Sequence, residues 1–111
     1  MSGRLVGMVF ENAPRDLTTA ERMVLLSLAE SARDRTRVAS YDSSVEALAR
    51  RTRVAPGTVK NVLSALVRYG LIQRVNGRAH EGLVQHYAIT ELHEHHRDVE
   101  TKKKPTTKEN P

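Results

Sequence analysis

Ser43-Ser44-Val45-Glu46-Ala47-Leu48-Ala49-Arg50-Arg51-Thr52-Arg53-Val54-Ala55-Pro56-Gly57-Thr58-Val59-Lys60-Asn61-Val62-Leu63-Ser64-Ala65-Leu66-Val67-Arg68-Tyr69-Gly70 decides the fold of this chain. Ser43-Ser44-Val45-Glu46 reads as a capping box that opens a short helix from Ser44 to about Thr52, with Val45, Leu48 and Ala49 facing inward. Pro56 suits a first helical position, because the amide hydrogen it lacks would be unpaired there. Val59, Val62, Leu63, Leu66 and Val67 then recur at helical spacing, and Gly70 supplies a left-handed stop. That apolar stripe needs a partner helix, and it leaves Gly57, Thr58, Lys60, Asn61, Ser64 and Arg68 on or near the outer face. From Ala47 to His80 there is no Asp or Glu, while Arg50, Arg51, Arg53, Lys60, Arg68, Arg74 and Arg78 all fall there. A polyanion is the natural partner of such a stretch.

Upstream, Thr18-Thr19-Ala20-Glu21 is a second capping box, opening a helix from Thr19 to about Arg33. Met23, Val24, Leu25, Leu26, Leu28 and Ala29 cover more than half its circumference, which marks it as the central helix. Asp34 to Arg37 reads as a polar loop, and Val38-Ala39-Ser40 as a short strand pairing with a later hairpin. Gly3 to Asn12 is a short apolar stretch whose periodicity fits a helical turn and an edge strand equally. Downstream, Leu71 to Val75 and Leu83 to Ile89 read as strands, with Asn76-Gly77 and Gly82 marking the loop and Arg78 and His80 at its tip. The expected class is mainly α with a small β-hairpin. The expected organisation is an N-terminal arm (1–16), a central domain (17–90), a polar, helix-compatible extension (91–100) and a disordered basic tail (101–111).

At 111 residues, 39% hydrophobic with one Phe and no Trp, the chain has room for one small domain with a modest aliphatic core. Eighteen Lys and Arg against 13 Asp and Glu give a formal net charge of +5, favouring nucleic acid or an anionic membrane surface over acidic small molecules. No apolar run approaches transmembrane length, and the N-terminus lacks a secretory h-region, so a cytoplasmic protein without a membrane partner is expected. The absence of Cys removes disulfides and thiolate chemistry together.

Leu17-Thr18-Thr19-Ala20-Glu21-Arg22, Leu28-Ala29, Ser44 through Thr52, Thr58-Val59 and Leu63 through Gly70-Leu71-Ile72 together resemble the winged helix-turn-helix family of bacterial plasmid and phage replication initiators and related small regulators. The resemblance covers roughly Leu17 to Ile89. It implies binding of double-stranded DNA through the helix that begins at Pro56, with the hairpin as a wing. Small Ala49 would let the two motif helices cross closely, and Val54 and Val59 would pin the turn. Two positions depart from the pattern. Arg53 stands where Gly is usual, at roughly 1 kcal/mol or more for a left-handed conformation, so a tilted or lengthened turn is an open alternative. Ala55 stands where Ser or Thr caps the second helix, which leaves the amides of Gly57 and Thr58 for a DNA phosphate.

Residue chemistry apportions the expected contacts. Arg50, Arg51, Arg53, Arg74 and Arg78 suit phosphate, which gives affinity and salt dependence. Lys60 suits guanine O6 or N7, Asn61 suits adenine N6 and N7, and Ser64 is a weaker base reader one turn on. Arg78 at a wing tip suits a narrow minor groove. His93 and His96 have i, i+3 spacing that a divalent metal can use, but a solvated polar helix accounts for them better, and no metal, cofactor or small-molecule ligand is expected. No P-loop, nucleotide-binding glycine fingerprint or nucleophile motif is present, so an enzyme is not expected. The leading expectation is a transcriptional regulator of a bacterial, phage or plasmid element, acting at the nucleoid by occupying its site. The alternatives are a replication or mobilisation accessory protein and a winged-helix protein-interaction module. Homodimerisation would enlarge a small DNA footprint, with Leu5 to Phe10 and Leu92 to Val99 left over for it.

Overall fold

The structure, a computed structural model, describes residues 3–39, 44–79 and 82–101, with the backbone alone for 76–79 and 82–85. Among these residues, four helices and one two-stranded antiparallel sheet follow one another: α1 (Gly3–Asn12), α2 (Thr19–Ser31), α3 (Val45–Thr52), α4 (Pro56–Arg68), β1 (Ile72–Ala79), β2 (Gly82–Ile89) and a 3-10 turn, η1 (Glu94–Asp98).

The central helix α2 begins as its sequence dictates. Thr18 Oγ1 accepts from the Glu21 amide at 3.1 Å and the Glu21 carboxylate accepts from the Thr18 amide at 2.9 Å, so two otherwise unpaired donors are satisfied. Val24, Leu25, Leu28 and Ala29 are buried and α1, α3, α4 and β2 all pack around α2. It ends at Ser31, short of Arg33, because Ala32 turns extended and bridges Ala39. The short strand expected at 38–40 is present at 38–39 as isolated bridges. Ala39 N donates to Tyr87 O at 2.9 Å and Ile89 N to Arg37 O at 2.8 Å, while Ser40 lies outside the described residues.

Two further readings are corrected by the backbone. The cap of α3 is Ser44, one residue later than the box placed it, and its hydroxyl accepts from the Ala47 amide. Ser43 lies outside the described residues. Asn76-Gly77 is no turn: β1 runs on to Ala79, with Asn76 opposite Gln85 and Ala79 opposite Gly82. The register is set where Ile72 faces Ile89 and Arg74 faces Tyr87, with Ile72, Tyr87 and Ile89 all buried. Arg78 lies in β1 opposite Leu83, one pair from the loop end of the hairpin; His80 falls outside the described residues.

The stretches before Leu17 and after Thr90 are built into the same core. Gly3–Asn12 is a helix whose Leu5, Met8 and Val9 are buried, and Leu92 is buried against them. Asn12 Nδ2 donates to Leu92 O, Arg15 N to Arg97 O, and Thr101 Oγ1 to the Asp16 carboxylate at 3.1 Å. Leu5, Val9 and Leu92 are thus not left over for a dimer contact. Residues 102–111, read as a basic tail, lie outside the described residues.

Candidate nucleic-acid interface

The candidate site is the outer face of α4 with what flanks its start. Gly57, Asn61, Ser64 and Arg68 follow i, i+4, i+7, i+11 spacing and share one row; Lys60 stands beside it and Thr58 on the opposite flank, and all six are exposed. The other side of the helix buries Val59, Val62, Leu63, Ala65 and Leu66, which fixes the row's direction. A hydrogen bond from Tyr69 Oη to Glu21 Oε2 at 3.2 Å ties the end of α4 to the start of α2. Gly70 closes the helix at φ +80°.

The connection between α3 and α4 is short and fully tied. Arg53 adopts φ 63°, ψ 25°, the left-handed conformation glycine would take most easily, and its amide donates to Ala49 O at 2.9 Å. Thr52 Oγ1 donates to Leu48 O at 2.7 Å and accepts from the Val54 amide at 3.3 Å. Three residues, Arg53 to Ala55, connect the two helices, and Arg53 takes the left-handed conformation itself. Ala55 is the N-cap of α4, and its side chain makes no capping hydrogen bond.

Arg50 and Arg53 are exposed beside that start, around a shallow hollow that also includes Val54, Ala55 and Pro56. Glu46 shares the hollow. The acid-free run in the sequence is therefore not an acid-free surface. The i, i+4 relation of Glu46 to Arg50 was the signal for it, lying just outside the run. Arg51 points elsewhere: its guanidinium pairs with Glu30 on α2, away from α4. Arg68 is about 12 Å farther along the helix than Lys60, with its guanidinium 5.8 Å from the Tyr69 ring centre. Arg74 is exposed on β1, and of Arg78 only the backbone is described.

The three histidines near η1 lie close together, with ring centres 4.1 Å apart for His95 and His96, and His96 Nδ1 accepts from the His93 amide at 2.8 Å. No group of three or more His, Asp or Glu side chains among the described residues is arranged to hold a metal ion. No helix among them is long and apolar enough to cross a membrane. Comparison with protein-family models, with curated proteins and with solved structures finds no match for this chain.

Proposed function

We propose that this chain is a winged helix-turn-helix protein that binds double-stranded DNA, laying α4 in the major groove with the β1–β2 hairpin beside it as the wing. The observation that carries the reading is the row Gly57, Asn61, Ser64, Arg68, with Lys60 beside it. It is a wholly exposed face of small, polar and cationic side chains on a helix whose other side is locked in the core. Large apolar side chains, which a protein-docking face would present, are missing from that row. Lys60 and Asn61 near the helix start read base edges; Arg50, Arg53 and Arg74 neutralise phosphates at either side. The amides at the start of α4, which the Ala55 side chain does not cap, add a phosphate contact, and Gly57 lets the backbone approach, since a Cβ there would meet nothing within the protein. Arg51 is a weaker contact than the other arginines because Glu30 already holds it.

Such a domain acts by occupancy, as a transcriptional regulator of a bacterial, phage or plasmid element at the nucleoid. The test is selection of bound duplexes from a randomised pool at physiological salt, repeated with Lys60→Ala and Asn61→Ala. Enrichment of a motif that each substitution relaxes at one position supports the reading. Absence of any salt-sensitive binding refutes it and leaves the protein-interaction module.

A further inference from the structure

The helix α1 has two apolar faces and uses one. Leu5, Met8 and Val9 point into the core, while Val6, Gly7 and Phe10, with Gly3, form a stripe on the opposite side. Phe10 is the sole Phe of the chain and is 64% exposed; Met23 on α2, 40% exposed, is the other large apolar side chain left in solvent among the described residues. Between them runs a groove of about 390 Å³ lined by Val6, Phe10, Met23 and Leu26 and bounded by the Glu30–Arg51 pair.

We propose that the occupant of this groove is a second copy of the chain, with α1 packed antiparallel on the partner's α1 about a twofold axis near Gly7 and Phe10 of each copy seated in the groove of the other. A twofold contact requires a self-complementary patch, and here knob and hollow are adjacent on one surface. Charge fits the same arrangement. Arg4 and Glu11 are seven residues apart, hence on one flank of α1 at its two ends, and in an antiparallel pair like flanks meet. Arg4 of each copy then faces Glu11 of the other, twice over. Glu11 is exposed and has no partner among the described residues; Arg4 is exposed too and already engages Glu91 and Asp34 of its own chain, so Glu11 of the other copy joins that network as a further acid. The paired Glu30 and Arg51 leave the groove's rim neutral in a chain of net charge +5, so copies approaching there escape the repulsion they meet elsewhere.

Gly7 permits the close approach. Glycine is a poor helix former, and nothing inside the protein demands it, because a Cβ at Gly7 or Gly3 would meet no atom within 4 Å. The segment 102–111, Lys-Lys-Lys-Pro-Thr-Thr-Lys-Glu-Asn-Pro, offers no large apolar side chain to cover Phe10 instead. Since α1 makes no contact with α4, the dimer leaves both α4 faces open.

The test needs no DNA, so it stands apart from the function proposed above. Sedimentation equilibrium of the full chain over a concentration series shows a monomer–dimer equilibrium. Phe10→Glu raises the dimer Kd about 30-fold or more, with an unchanged circular dichroism spectrum because the side chain is exposed. Glu11→Arg weakens the dimer too. With no native cysteine, Gly7→Cys oxidises to a disulfide-linked dimer, whereas Ser64→Cys does not. A chain that stays monomeric at every concentration, or a dimer indifferent to Phe10→Glu and Glu11→Arg, overturns the proposal.

Discussion

Replacing Arg53 by Gly should make the protein more stable and, on the DNA-binding reading proposed above, weaken its hold on DNA. Arg53 sits at φ 63°, ψ 25°, where an L residue is disfavoured by roughly 1–2 kcal/mol. Glycine removes that strain but loses about 0.5–1 kcal/mol through the larger freedom of its unfolded chain. The difference spans about 0–1.5 kcal/mol, and its central value of about 0.75 kcal/mol corresponds to about 3–6 °C in Tm for a domain of this size. The guanidinium itself is exposed and makes no ion pair among the described residues, so its removal takes nothing further from the fold. On DNA, one lost phosphate contact lowers the slope of log K against log salt by about 0.9 and weakens binding a few-fold. Thermal melts and fluorescence titrations at several salt concentrations read both effects. Arg53→Asn separates them, since Asn tolerates the left-handed region: the same fall in slope with little change in Tm is expected. A drop in stability for Arg53→Gly would refute the strain assignment. An unchanged salt slope for both variants would remove Arg53 from the interface.

Other expectations follow from individual bonds. Tyr69→Phe removes the bond to Glu21 that holds the end of α4 and should cost about 1 kcal/mol in urea unfolding; no change would mean that packing alone places the helix. The hydrogen bond from Arg4 holds the Glu91 carboxyl below its ordinary range, so the stability it contributes is complete above the unfolded glutamate value and disappears as pH falls through the lowered folded value. The Tm gap between the wild type and Glu91→Gln should therefore close on acidification and shrink with salt; a gap that widens in acid would contradict the assignment. Gly57→Ala should leave the fold intact or stabilise α4 by up to about 1 kcal/mol, while DNA affinity falls if the backbone approaches phosphate there; unaltered affinity would exclude that approach.

The elements legible in the sequence are those whose signals are local and uncontested. Thr18 and Glu21 close their box, Pro56 and Gly70 frame α4, and Ala55 makes no capping bond to it, each because backbone donors and φ preferences act within a few residues. Where a tertiary contact competes with a local preference, the contact wins. Asn76-Gly77 has turn chemistry, yet the hairpin is set by Ile72 and Ile89 in the core and runs past it. The helix at Gly3–Asn12 stays ambiguous in the sequence because a ten-residue stretch with no acidic residue in its first turn and no basic residue in its last carries no end signal to set it apart from a strand. At the candidate site the exposed row on α4 was readable from spacing. The diversion of Arg51 to Glu30, 21 residues away, was not, because sequence holds no trace of which faces of α2 and α3 meet.

The closing of the fold by its two distant stretches has a consequence for how the protein comes into being. Arg4 finds Glu91 across 87 residues, and Asp16 finds Thr101 across 85. The apolar side of α1 packs on α2, the next helix in the sequence, and is closed off by Leu92, 80 residues beyond Asn12. Docking of α1 on α2 closes only a short loop, whereas the cover that Leu92 gives waits for a far longer one, so Leu5, Met8 and Val9 stay partly open to misassociation until the two distant stretches meet.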